Sequence, residues 1–364
     1  PGGVDEAIRL VDEVIAPELF GVDSVDQFDV DNVLKDVDGT HNFSKIGGST
    51  AIAISIANAK AAAASLNLPL YQYLGGVLSY ILPLPLGNVM GGGRHSLYKG
   101  LDIQEILVLP VDAESFVDAA AANIEVYKRI AKFAPLNVLY GRNDEGAWVT
   151  GLDMTDALKL VKKACDSVSS ELGMHIRLGL DVAASSLWNP NSKNYVFAGS
   201  GLRLGVDEYF DFLLGLIREF DLVYLEDPFY EEDFELFAKL GDASENCLIC
   251  GDDLTVTNSE RIEYGLSLGA LDAVIIKPNQ VGTLSDTFHA VKTAVSNGLV
   301  TVVSHRSGET VDPYLSHLAV AFNAPIIKCG IMGGERVAKI NELIRIEENL
   351  GGNARIFSLE GMLP

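Results

Sequence analysis

The sequence predicts an α/β protein: a closed barrel of strand–helix units preceded by a smaller, mostly helical N-terminal domain. Three observations carry this reading. From residue 106 onward, short β-branched or apolar runs alternate with longer helical stretches, the signature of parallel βαβ units. A chemistry-bearing polar residue stands directly after most of these runs. Paired prolines in Leu82-Pro83-Leu84-Pro85 separate this region from a helical opening, because proline favours extended backbone in its neighbour.

Taken in order, Ile8, Val11 and Ile15 recur at helical spacing between Asp5 and Ile15, and an alanine-rich run spans 51–64. The domains are therefore expected at 1–80 and 81–364, with the second as the catalytic barrel. Strands are expected at 106–109, 176–180, 222–225, 248–249, 273–276, 300–303 and 325–327. An open doubly wound sheet satisfies the same alternation, but the number of units and the placement of the polar residues favour closure. Asp181, Glu226, Asp252, Lys277, His305 and Lys328 each fall where a strand should end, at intervals close to one strand–helix unit. In a parallel barrel all strand C-termini share one face, so these residues converge on one mouth.

Composition narrows the function. With 48% hydrophobic residues the chain can fill a barrel core. The 27 Lys+Arg against 50 Asp+Glu give a net charge of −23, which repels nucleic acid and anionic lipid, so the partner is a small molecule. An anionic substrate still fits if a carboxylate-held metal is interposed. No apolar stretch is long enough to suggest a membrane span, no signal-peptide pattern opens the chain, and the cytoplasm is the default. The chain begins at Pro1 without a methionine, and a segment upstream is expected. Cys247 and Cys250 form a C-x-x-C inside an apolar run, where strand alternation sends the thiols to opposite faces, against a zinc or redox role.

Asp181, Glu226 and Asp252 offer hard oxygen ligands suited to Mg²⁺; capping of the following helices is the competing use. Lys277, desolvated and flanked by metal charge, would lose its proton readily and serve as a general base, unless it forms a salt bridge with a carboxylate. Gln104-Glu105 precedes a strand, and Asp144-Glu145-Gly146 forms a polar turn whose glycine can aim Glu145 inward as an acid. Ser304-His305-Arg306-Ser307-Gly308-Glu309-Thr310, entering a helix, suits phosphate oxygens; a hydrogen-bonded core histidine is the alternative for His305.

At these residues the sequence resembles the enolase family. The matching strings are VDGT at 37–40, DIQE at 102–105, NDEG at 143–146, GLDVAASS at 179–186, YLEDPF at 224–229 and GDDLTVTN at 251–258. They continue with IIKPNQVGTLSDT at 275–287, SHRSGET at 304–310, IKCG from 327 and GGERVAKINELIRIEE ending at 348. The resemblance implies a (β/α)8 barrel lyase that uses magnesium to interconvert 2-phosphoglycerate and phosphoenolpyruvate in glycolysis, commonly as a homodimer. It implies Asp181, Glu226 and Asp252 as ligands of the first magnesium and Lys277 as the base that removes the C2 proton. Glu145, with Glu105 beside it, becomes the acid for loss of the C3 hydroxyl. Lys328 becomes a contact for the substrate carboxylate, Arg306 and Ser307 phosphate contacts, His305 and Gln104 supports, and His95 the histidine of a mobile loop.

Three features depart from the family pattern. Arg94 to Gly100 is bulkier than the family's glycine-rich loop, and Gly146-Ala147 replaces a glycine pair. The third is the family's N-terminal three-stranded sheet and lid serine, which helps hold a second magnesium: these residues supply only the helical part of that domain. Two other functions share the motifs: a catalytically weak scaffold or binding protein, and a lyase acting on another carboxylate.

Overall fold

The structure, a computed structural model, describes residues 4–93 and 100–363. The histidine of the expected mobile loop, His95, lies outside them, as does most of that loop.

Among the described residues, eight strands close into a barrel: β1 Leu84–Gly91, β2 Glu105–Pro110, β3 Ile176–Asp181, β4 Tyr224–Glu226, β5 Leu248–Gly251, β6 Ala273–Ile276, β7 Val300–Ser304 and β8 Ile326–Gly330. They neighbour one another in chain order, and β8 pairs with β1 to complete the ring. Alternate strand residues divide between two cores, as period-2 side chains must. Leu84, Leu86, Ala273, Ile275, Val300 and Val302 fill the barrel interior, while Val89, Ile106, Val108, Val274 and Ile276 face the surrounding helices. Cys247 falls in the outer core and Cys250 in the inner, and burial raises both thiols. Leu359 seals the interior from the C-terminal segment, whose Arg355–Ile356 pairs with Ile81–Leu82.

Two expectations are corrected here. The barrel is not wholly parallel: β2 runs antiparallel to both β1 and β3. An apolar run carries no directional signal, so the sequence pattern was blind to this. The reversal puts the start of β2 at the mouth, where Glu105 stands opposite Asp181. The segment read only as a boundary also holds β1, with Pro85 inside it. At Pro85 the neighbouring strand is β8, and pairing with β2 begins at Gly87, so the missing N–H is tolerated there.

A hairpin, Leu139–Arg142 with Trp148–Thr150, attaches to the end of β1 through Met90 and Trp148. Its turn, 143–147, is thereby held over the mouth. The N-terminal residues form helices Asp5–Leu10, continued through a π-helical turn to Leu19, then Gln27–Asp38, Gly48–Ser65 and Leu70–Gly75. Buried Asp31 locks two of them to the barrel: its carboxylate accepts from Ser55 Oγ (2.6 Å) and from the backbone N–H of Ser285 (2.8 Å). No helix among the described residues is long and apolar enough to cross a membrane.

Candidate active site

Nearly all the candidates converge. A cavity of about 630 Å³ opens at the barrel mouth and is lined by Gln104, Glu105, Glu145, Asp181, Asp252, Lys277, His305, Arg306, Ser307 and Lys328. Glu226 lies just beneath, fully buried. Asp181 and Glu226 end β3 and β4, Asp252, Lys277 and His305 follow β5, β6 and β7, and Lys328 sits within β8.

Two lysines supply positive charge to the carboxylates. Lys328 Nζ lies 2.8 Å from Asp181 Oδ2, 2.7 Å from Glu226 Oε1 and 3.4 Å from Glu105 Oε2. These acids outweigh the burial that would otherwise favour the neutral amine, and they raise Lys328 well above the usual lysine range. Lys277 forms an ion pair with Asp252 Oδ2. Burial alone would lower Lys277, but Asp252 prevails and raises it. The salt bridge weighed as the alternative use of Lys277 is present. Asp252 responds in kind: burial pulls it up, and Lys277 holds it below the usual carboxylate range.

The acids do not cap helices. The helices after β4 and β5 start behind Asp233 and Asn258, not Glu226 or Asp252. Burial, then the charge of Asp181, pushes Glu226 up to about 8 even with Lys328 beside it. Such a group is short of positive charge. Glu105 is raised well above its ordinary range by burial and then by Glu145, and its Oε2 lacks a hydrogen-bond partner. Hard oxygens on adjacent strands, undercompensated by the protein, fit a divalent cation. Among the described residues, two tighter groups, Glu105/Glu145/His305 and Asp227/Asp252/Asp253, bring their ligand atoms within 4.8 Å of one another; the Asp181, Glu226 and Asp252 set is not among these, with both lysines inserted among its oxygens.

Glu145 reaches the mouth from the hairpin turn. Gly146 takes φ +79°, where a side chain would also strike the Met332 backbone. Asn88 Nδ2 donates to Glu145 Oε2 at 2.9 Å, and His305 Nε2 lies 3.5 Å from the same oxygen. Burial, reinforced by Arg336 and the two lysines, pushes His305 down to about 3, against the pull of Glu145; the ring is neutral. Its Nδ1 accepts from Arg336 at 2.8 Å, and from the Gly330 N–H at 3.3 Å.

One expectation about the phosphate segment is revised. The 305–310 segment does not enter a helix directly; the next helix begins at Tyr314. The Glu309 carboxylate accepts from the Arg306 and Thr310 N–H groups (both 3.2 Å), and Lys339 holds Glu309, so the backbone stays irregular. Arg306 and Ser307 are exposed at the rim.

Several supporting residues escaped the sequence reading. Tyr224 donates to Glu226 Oε2 (2.7 Å) and Gln280 to Asp252 Oδ1 (3.2 Å), beside the expected Gln104, which donates to Asp181 Oδ2 (3.2 Å). Asp227, with left-handed φ of 43°, accepts from the N–H groups of Asp252 (2.9 Å) and Asp253 (2.8 Å). Only adjacency to motif residues could have flagged Asn88, Gln280 or Arg336, since each acts across the barrel rather than along the chain.

The family described as "Enolase, C-terminal TIM barrel domain" matches residues 79–360, and "Enolase, N-terminal domain" matches 1–74. A protein named enolase from Methanosphaera stadtmanae is 50% identical over 353 residues, 96% of this chain and 85% of that one. Enolase from Methanothermobacter thermautotrophicus is 49% identical over the same shares. Enolase from Pyrobaculum aerophilum is 49% identical over 98% of this chain and 85% of its own. With both domains matched and half the residues shared across nearly the full length, the chain belongs to the enolase family.

Proposed function

We propose that this chain is a working enolase that interconverts 2-phosphoglycerate and phosphoenolpyruvate with Mg²⁺. The observation that carries the reading is the order of groups around the mouth. In the ring of eight strands, β2 and β6 face each other. Glu105 on β2, with Glu145 close to it, therefore opposes Lys277 after β6. Asp181, Glu226 and Asp252 occupy the arc between them, and the remaining arc carries His305, Arg306, Ser307 and Lys328. An acid and a base on opposite walls suit removal of a proton and a hydroxyl from adjacent carbons.

In this reading Lys277 takes the C2 proton onto Nζ, and Glu145 delivers a proton to the departing C3 hydroxyl, which leaves as water. Glu105, buried beside Glu145 and raised well above its ordinary range by burial, supports that acid. Arg306 and Ser307 at the rim hold the phosphate, by a guanidinium fork and a hydroxyl, and orient C2 toward Lys277. Lys328 binds the substrate carboxylate, with Gln104 and His305 as supports. Asp181, Glu226 and Asp252 would hold the cation. Bound there, Mg²⁺ would take over the charge now shared with Lys277 and Lys328 and withdraw electrons from the substrate carboxylate, making C2–H more acidic. The same reading includes a division near residue 80, homodimerisation and a cytoplasmic setting.

The test is Mg²⁺-dependent absorbance growth from phosphoenolpyruvate on adding 2-phosphoglycerate. Saturating substrate and magnesium with no absorbance change would sink the reading and favour a scaffold.

A further inference from the structure

Arg336 is fully buried, yet it belongs to the helix Gly334–Leu350 that leaves β8, not to any strand end. Its guanidinium meets four acceptors in two separate loops. Nη1 donates to His305 Nδ1 (2.8 Å) and to the Arg306 carbonyl (2.5 Å); Nη2 donates to the Ser307 carbonyl (2.7 Å) and to the Asp144 carbonyl (3.2 Å). One loop carries Glu145, and the other carries His305 and the rim residues. Gly330 leaves room for this: a side chain there would collide with the Glu145 carbonyl and crowd Arg336 Cγ at 3.1 Å.

Arg can only donate, so His305 Nδ1 must accept, and the neutral ring carries its proton on Nε2. That nitrogen is the one facing Glu145 Oε2. We propose that Arg336 is a positioning residue for the acid half of the reaction: it ties the Glu145 turn to the 305–307 loop and fixes His305 as the tautomer whose Nε2–H faces Glu145. The proposal rests on the enolase reading above. Lys277 and the arc of Asp181, Glu226 and Asp252 receive no contact from Arg336, so its influence divides the reaction into two halves.

The helix provides its own comparator. Lys339, one turn on and equally buried, holds Glu309 (2.7 Å) and the Thr310 carbonyl but touches neither His305 nor the Glu145 turn. A merely structural role predicts the same behaviour from both cations.

The experiment measures dehydration and C2 proton exchange, both at saturating 2-phosphoglycerate and Mg²⁺. Arg336→Lys, whose compact ammonium cannot span four acceptors, should lose on the order of 100-fold in dehydration, with exchange reduced about tenfold less. Lys339→Met should lower both rates in parallel. Equal losses of the two rates in Arg336→Lys would overturn the proposal. A second measurement needs no variant of Arg336: long-range ¹⁵N–¹H spectra of the unsubstituted protein, with His305 assigned through His305→Asn. A neutral ring protonated on Nε2 is the expected result; protonation on Nδ1 would refute the assignment even if Arg336→Lys failed to fold. If the unsubstituted protein performs neither reaction, the enolase reading itself fails. If it performs both and Lys277→Ala stops exchange, equal losses in Arg336→Lys would count against Arg336 alone.

Discussion

Replacing Lys328 by Met removes one charge and leaves the side-chain volume nearly unchanged, so the result measures the ammonium. In the folded chain that ammonium stands 2.7–2.8 Å from Asp181 and Glu226 and 3.4 Å from Glu105, with all four residues buried. Breaking a buried ion pair by deleting one partner typically costs about 3–5 kcal/mol. Here the cost should fall toward the lower end, because burial and the charge of Asp181 already favour the protonated form of Glu226, which leaves less uncompensated charge once Lys328 is gone. Urea unfolding in chelator should therefore show the variant less stable by roughly 3 kcal/mol, with an unchanged denaturant slope. Magnesium should reverse much of this. Ligand at a hundred times its dissociation constant stabilises by about 2.7 kcal/mol, and without a competing ammonium the variant should gain more from Mg²⁺ than the parent does. Equal stability of the two proteins in chelator, or equal gains from Mg²⁺, would refute the claim that Lys328 and a cation serve the same carboxylates. Activity should be lost in either case, since the carboxylate contact is gone.

Further expectations concern the two halves of the reaction and its scaffold. Lys277→Ala should abolish C2 proton exchange while circular dichroism shows an intact fold, whereas Glu145→Gln should spare exchange far more than dehydration; retained exchange in the first would point to another base. His305 has a folded value of about 3 against 6.5 unfolded, so its stabilising contribution is complete above pH 6.5 and is lost as pH falls toward 3. Its full loss is worth roughly 5 kcal/mol, and His305→Asn should flatten the stability–pH curve in that window; an unaltered curve would contradict a buried neutral ring. Gly330→Ala pushes a methyl into the Glu145 carbonyl, so stability should drop by about 1–3 kcal/mol, with a loss of dehydration larger than that of exchange.

How far the site could be read from the chain depended on where its groups lie. Asp181, Glu226, Asp252, Lys277 and His305 were legible because each ends or follows an apolar run, and a barrel turns that regular placement into a single mouth. Glu105 was nominated, but its reason for facing the mouth lay in the reversed direction of β2, which apolar patterning cannot express. Strand β1 was missed because Pro83 and Pro85 carry a boundary signal locally, and only the absence of a β2 partner at Pro85 makes that residue acceptable within a barrel strand. The phosphate segment was found, while its expected continuity with a helix failed against the competing bonds of Glu309 and Lys339.

By itself the sequence determined the fold class, the family and the identity of the chemical groups, because hydrophobic period and motif spacing are properties of the chain. The tertiary structure decided the states of those groups. That Lys277 pairs with Asp252, that Glu226 is short of charge, and that His305 is neutral with Arg336 on its Nδ1 all follow from neighbours brought together by barrel closure. Electrostatic energy depends on distances of a few ångströms in a buried environment, and linear sequence does not specify those distances.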